Sequence, residues 1–185
     1  MVERGALEKL CLACGTGGSN PSPSVLIFYK ILMKTLVIYD SVFGNTEKIA
    51  KAIAKGVNAD LLQVDSCTIE KIKGFDYLVL GSPTRAFKPT EKISAFIKSL
   101  PMGSLNGVKV MAFDTRLDVK EVGSKILTVM ESIFGYAAAP MQKRLISKGG
   151  SQVAEPEGFF VKESEGPLRE GEEQRATEWG KRYIK

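Results

Sequence analysis

From residue 34 onward, the apolar positions of this chain keep two rhythms. Short apolar runs of strand length fall at about 34–40, 59–65, 75–81 and 108–114. The run Leu36-Val37-Ile38-Tyr39 has no polar alternation, which suits a strand buried on both faces. Between the runs, apolar residues recur at helical spacing. Ile49, Ile53 and Val57 mark a helix over about 45–57 with Thr46 as its cap. Ile93, Phe96, Ile97 and Leu100 mark a second over about 90–100, capped by Thr90. A helical pattern over about 120–148 is broken near Gly135-Tyr136 and stops at Gly149-Gly150. A fifth strand is expected at about 151–155, resuming at Phe159-Phe160-Val161. A last helix over about 171–184 turns Ala176, Trp179 and Tyr183 inward. Strands alternating with helices predict an α/β domain with a parallel sheet covered on both faces.

The joint between the first strand and first helix carries the most chemistry. Ser41-Val42-Phe43-Gly44-Asn45-Thr46 presents hydroxyls and backbone N–H groups at the positive end of a helix. Such a joint is a ready phosphate site. Val37, Ile38, Tyr39, Ser41, Gly44, Thr46, Ala50 and Ile53 fill the fixed places of a known signature. It reads aliphatic, aliphatic, aromatic, any, Ser/Thr, two of any, small, any, Thr, then Ala and a later aliphatic. In this segment the chain resembles the flavodoxin family. The resemblance implies a flavodoxin-like three-layer sandwich whose five-stranded parallel sheet has the order 2-1-3-4-5. It also implies FMN as cofactor.

In such sheets the ligand lies beyond the carboxyl ends of the strands, beside the first. Three loops converge there, at 40–46, 82–89 and 114–119. By resemblance, Ser41, Gly44, Asn45 and Thr46 hold the FMN phosphate, with the backbone N–H groups of Val42 and Phe43. The second loop, Ser82-Pro83-Thr84-Arg85-Ala86-Phe87-Lys88-Pro89, is stiffened by two prolines. Its one aromatic, Phe87, either covers a flavin face or packs beneath the loop. The family often has a glycine here whose peptide turns toward flavin N5, and none lies between Ser82 and Pro89. In the third loop, Asp114 and Thr115 suit the polar edge of the ring, although the Tyr typical of electron carriers is missing. Arg116 and Arg85 either stand near the flavin N1/C2 carbonyl or are solvated or paired with an acid. The stretch Ala154-Glu155-Pro156-Glu157-Gly158-Phe159-Phe160 and the following 163–168 read as a loop covering a sheet edge.

Composition narrows the function classes. At 185 residues with 44% apolar content, the chain suits one domain with a proper core. Gly15 to Ser24 is low-complexity, so residues 1–32 read as a disordered leader or a mis-annotated extension, and 33–185 as the domain. Gly18-Ser19-Asn20-Pro21 is also what the codons GGT-TCG-AAT-CCN give. Those codons spell the TΨC arm of a transfer-RNA gene, so the expected natural start is Met33. Cys11 and Cys14 read as an incidental pair in that leader, and Cys67 as a plain thiol near a strand end. An odd cysteine count without a signal peptide suggests a reducing cytoplasm. The net charge of +5 is spread out, which argues against nucleic acid, and no apolar stretch reaches about 20 residues, so no membrane span is expected. There is no histidine, the commonest acid–base residue and metal ligand. A receiver domain lacks its acidic cluster here, with only Asp40 after the first strand and Gly81-Ser82-Pro83 after the third. A P-loop nucleotidase lacks Gly-Lys-Ser/Thr. The resemblance leaves two roles: an electron carrier between redox partner proteins, or an FMN-dependent NAD(P)H or quinone reductase of the same fold. The oligomeric state is not legible.

Overall fold

The central strands are apolar on both faces because both faces are covered. In the computed structural model, which describes residues 33–118 and 136–185, β1 (Thr35–Tyr39) is buried along its whole length. Its side chains alternate: Leu36 and Ile38 point to one core layer, Val37 and Tyr39 to the other. The neighbouring β3 (Tyr77–Pro83) and β4 (Lys109–Leu117) divide in the same way. With β2 (Asp60–Gln63), these strands pair in parallel in the order 2-1-3-4.

Among the described residues, two helices cover each face. On one side, α1 (Asn45–Val57) and α4 (Glu172–Tyr183) bury Ile49, Ile53, Ala176 and Trp179 against Val37, Val79, Met111 and Phe113. On the other, α2 (Glu91–Ser99) and α3 (Ala138–Ser147) bury Ile93, Ile97, Met141 and Leu145 against Leu36, Leu80 and Val110. Each fully buried aliphatic side chain contributes roughly 1.5–3 kcal/mol. The three-layer sandwich with sheet order 2-1-3-4-5 is therefore observed as expected.

The fifth position is split. β5 (Ser151–Gln152) and β6 (Glu157–Val161) both run parallel to β4, separated by Val153 to Pro156. The expected strand over 151–155 stops early. Four residues intervene there against two on β4, between Val110 and Phe113, so the chain loops out, and Pro156 has no N–H for the ladder. β6 in turn lengthens its neighbour. It pairs with Phe113 through Leu117, so β4 runs three residues past the expected end at 114. Asp114, Thr115 and Arg116 therefore lie on a strand, not in a loop, as do Ser82 and Pro83 at the end of β3.

Thr90 caps α2 as expected, accepting from the Ile93 N–H at 3.5 Å. Thr46 does not cap α1. The cap position is Gly44, with φ of 82°, and Thr46 lies within the first turn. Only glycine enters that left-handed geometry without a steric cost. Of the expected helical stretch over 120–148, the part from 138 is α3, and 119–135 lies outside the described residues. The leader, 1–32, and its Cys11 and Cys14 also lie outside them.

Candidate functional site

The strand ends bring the three sequence-predicted segments to one edge of the sheet. At the first, Ser41 to Gly44 turn the chain from β1 into α1. The first N–H groups of a helix have no intrahelical carbonyl to bond. One of them, on Glu47, is taken by Ser41 Oγ at 3.3 Å. Asn45 and Thr46 are buried, whereas Val42 and Phe43 are about half exposed at 45% and 47%. Asn45 Nδ2 donates to the Glu165 carbonyl at 2.8 Å. The segment 163–168, expected only to cover a sheet edge, thus reaches the turn before α1. Its Leu168 bridges back to Val161, and Arg169 pairs with Asp118 at 3.6 Å.

The second segment ends in a tight hairpin. Arg85 N donates to the Lys88 carbonyl and Lys88 N to that of Arg85, at 2.9 and 3.0 Å. The two residues between, Ala86 and Phe87, have φ of 46° and 62°. This is the pattern of a two-residue primed turn, which normally takes Asn-Gly. Ala and Phe there hold backbone strain. Arg85 is exposed, and Phe87 is partly buried against the ring of Tyr136, with centroids 6.4 Å apart. Ser82 is fully buried: its Oγ donates to the Pro83 carbonyl and accepts from the Thr90 N–H, tying β3 to α2.

The third segment crosslinks the other two. The Thr115 and Thr46 hydroxyls bond at 2.8 Å, and the Thr115 carbonyl accepts from the Thr84 N–H at 2.9 Å. Asp114, with no solvent exposure, accepts from Arg116 Nε on one oxygen and from the Ala138 N–H, at 2.7 Å, on the other. Thr84 Oγ1 accepts from the Ala137 N–H at 3.0 Å. The start of α3 is thus pinned by Thr84 and Asp114. Burial lifts the Asp114 carboxyl above its ordinary pKa range, against the opposing pulls of Arg116, the Ala138 N–H and the Thr84 hydroxyl.

Tyr136 was not singled out by sequence reasoning. Its only signal was the helix break at Gly135-Tyr136, which reads equally as punctuation. The structure places its ring beside Phe87 and under Arg116, whose Cζ lies 3.8 Å from the ring centroid. The site thus combines helix-end N–H groups and hydroxyls at one end with an apolar aromatic surface at the other. A separate groove between the C-terminal halves of α2 and α3, lined by Ile97, Lys98, Arg144 and Lys148, lies away from these loops. Its cations complement helix carboxyl ends.

Residues 36–153 match the family model of the flavodoxin domain. An uncharacterised protein of Methanocaldococcus jannaschii is 34% identical over 84 residues, covering 45% of this chain and 54% of that protein. A flavodoxin of Aquifex aeolicus is 36% identical over 80 residues, 40% of this chain and 43% of its own length. The matches thus span about half the length of these relatives. Among solved structures, oxidised flavodoxin 1 of Bacillus cereus superposes with a TM-score of 0.63 at 19% identity, covering 82% of this chain and 97% of that one. At that identity the likeness speaks for the fold alone.

Proposed function

The chain belongs to the flavodoxin family, and from that premise we propose that it binds FMN at the carboxyl edge of its sheet and carries electrons between partner oxidoreductases. One observation supports the site most: Thr115 bonds the Thr46 hydroxyl at the start of α1 and, through its carbonyl, the Thr84 N–H of the segment that carries Phe87, so helix-end N–H groups and an aromatic pair, Phe87 and Tyr136, lie on connected segments. The donor set suits FMN, which joins a dianionic phosphate to a flat, partly apolar ring.

In this reading the phosphate is held by N–H groups of Val42 to Thr46 and by the Ser41 and Thr46 hydroxyls. Gly44 gives the turn its left-handed bend and lets the backbone face the anion. Asn45 contributes by holding the 163–168 segment against the turn. Phe87 and Tyr136 cover the ring, with Pro83, Thr84, Arg85 and Thr115 along its borders. Ser82, Asp114 and Arg116 act from behind, fixing the strand ends and the start of α3. FMN, when bound, supplies the redox chemistry, and the protein supplies binding, orientation and electrostatics.

Among the described residues no helix is long and apolar enough to cross a membrane. Partners in the proposed role are redox proteins, and the proposed location is the cytoplasm. Two measurements test the reading. The purified protein should show the visible bands of oxidised flavin. Turnover with NADH, NADPH and quinones should stay at background without a partner. Sustained turnover of a quinone by NAD(P)H would instead make the protein a reductase.

A further inference from the structure

Arg116 is held on three sides. Its Nε bonds the buried Asp114, so one edge of the guanidinium is fixed. One flat face lies against Gly158 of β6: a Cβ there would come within 2.2 to 2.4 Å of Cζ, Nε and Nη2. No other residue leaves that space. The opposite face lies on the Tyr136 ring, and the Tyr136 ring meets Phe87, tilted by 39°. Gly158, Arg116 and Tyr136 thus stack in that order from the edge of the sheet, and Phe87 of the strained turn meets the Tyr136 ring at a tilt. The backbone after Tyr136 is tied to the same group, since the Ala138 N–H bonds the other oxygen of Asp114. The arginine side chain is only 15% exposed, which leaves little of its charge to face a ligand directly.

We propose that Arg116 is a positioning residue: clamped between Gly158 and Tyr136, it fixes Tyr136 as the second aromatic shelf for the flavin and acts on the flavin through that ring. The proposal rests on the FMN reading above. It assigns the shelf to the start of α3, whereas the family resemblance looked for a tyrosine just after the fourth strand. A planar guanidinium stacks on an aromatic face and an ammonium does not, so lysine cannot replace it. The cation also draws on the ring's negative face. An aromatic shelf with less π density repels the electron-rich reduced flavin less, so the clamp raises the potential.

The test is a double-mutant cycle on the FMN-loaded protein. Arg116→Lys keeps a charge beside Asp114 and loses the stack. Gly158→Ala displaces the guanidinium without changing any charge. Each is made alone and on a Tyr136→Leu background, with unfolding midpoints measured beside them. The readouts are FMN affinity, the fluorescence of bound flavin, which a stacked tyrosine quenches, and the midpoint potential. Each single variant should weaken FMN by roughly threefold, brighten the bound flavin and lower its potential. On the Tyr136→Leu background neither should change any of the three further. Equal changes on both backgrounds, or an Arg116→Lys protein indistinguishable from wild type, overturn the proposal while leaving FMN binding in place. A wild-type chain that takes up no FMN contradicts the cofactor reading first, and the shelf with it.

Discussion

At the scale of single residues, the hydroxyl of Thr46 joins the start of α1 to the end of β4. Buried and accepting from the Thr115 hydroxyl, it would keep its own proton to donate to a phosphate at the start of α1. A hydrogen bond to a charged group contributes about 1.5–3 kcal/mol. Thr46→Ala should therefore weaken FMN by roughly tenfold or more, read by fluorescence titration, with riboflavin affinity nearly unchanged. An equal loss for riboflavin would mean that the hydroxyl serves the fold and not the phosphate. Asp114 gives a second residue-scale prediction. Its folded pKa is raised by burial, so between the ordinary carboxylate range and the raised value the unfolded chain has lost a proton that the native protein keeps. Stability falls as pH rises through that window. Asp114→Asn still accepts from the Ala138 N–H and cannot titrate, so this descending limb should vanish from urea midpoints measured against pH. A limb of the same depth in the variant would assign it to other groups. Residue types were legible at this scale, and their partners were not. Asn45 and Arg116 are polar side chains at the expected places, but Glu165 and Gly158, which they meet, lie more than forty positions away.

At the scale of elements, the hairpin at 85–88 concentrates strain next to the aromatic pair. A left-handed non-glycine residue costs roughly 1–2 kcal/mol, and glycine returns about 0.5–1 kcal/mol of that as lost chain entropy. Ala86→Gly should raise stability by about 0.5–1 kcal/mol in denaturant unfolding, with FMN affinity kept. A loss of stability would show that the turn is not strained in solution. Sequence patterning found the elements because period and burial coincide: α1 spans the expected 45–57, and α2 and α4 fall within a residue of their expected limits. The misplaced boundaries are those decided by a distant neighbour. β4 continues past Asp114 only because β6 supplies a partner, and β5 ends at Gln152 because the chain loops out before Pro156. The cap of α1 was misread for a related reason. Thr46 is a good cap by type, but Gly44 already turns the chain, and the hydroxyl is drawn inward to Thr115.

At the scale of the whole molecule, the two core layers and the sheet order leave one edge where β1, β3 and β4 all end. The described parts of the 40–46, 82–89 and 114–118 segments meet there. The central claim is that this edge holds FMN by its phosphate as well as by its ring. Calorimetric titration of the flavin-free protein with FMN, and separately with riboflavin, tests it most directly. The account predicts a single site per chain, with FMN bound at least tenfold tighter than riboflavin, since the phosphate adds charged hydrogen bonds of about 1.5–3 kcal/mol each. Absence of FMN binding, or equal affinity for FMN and riboflavin, would contradict it.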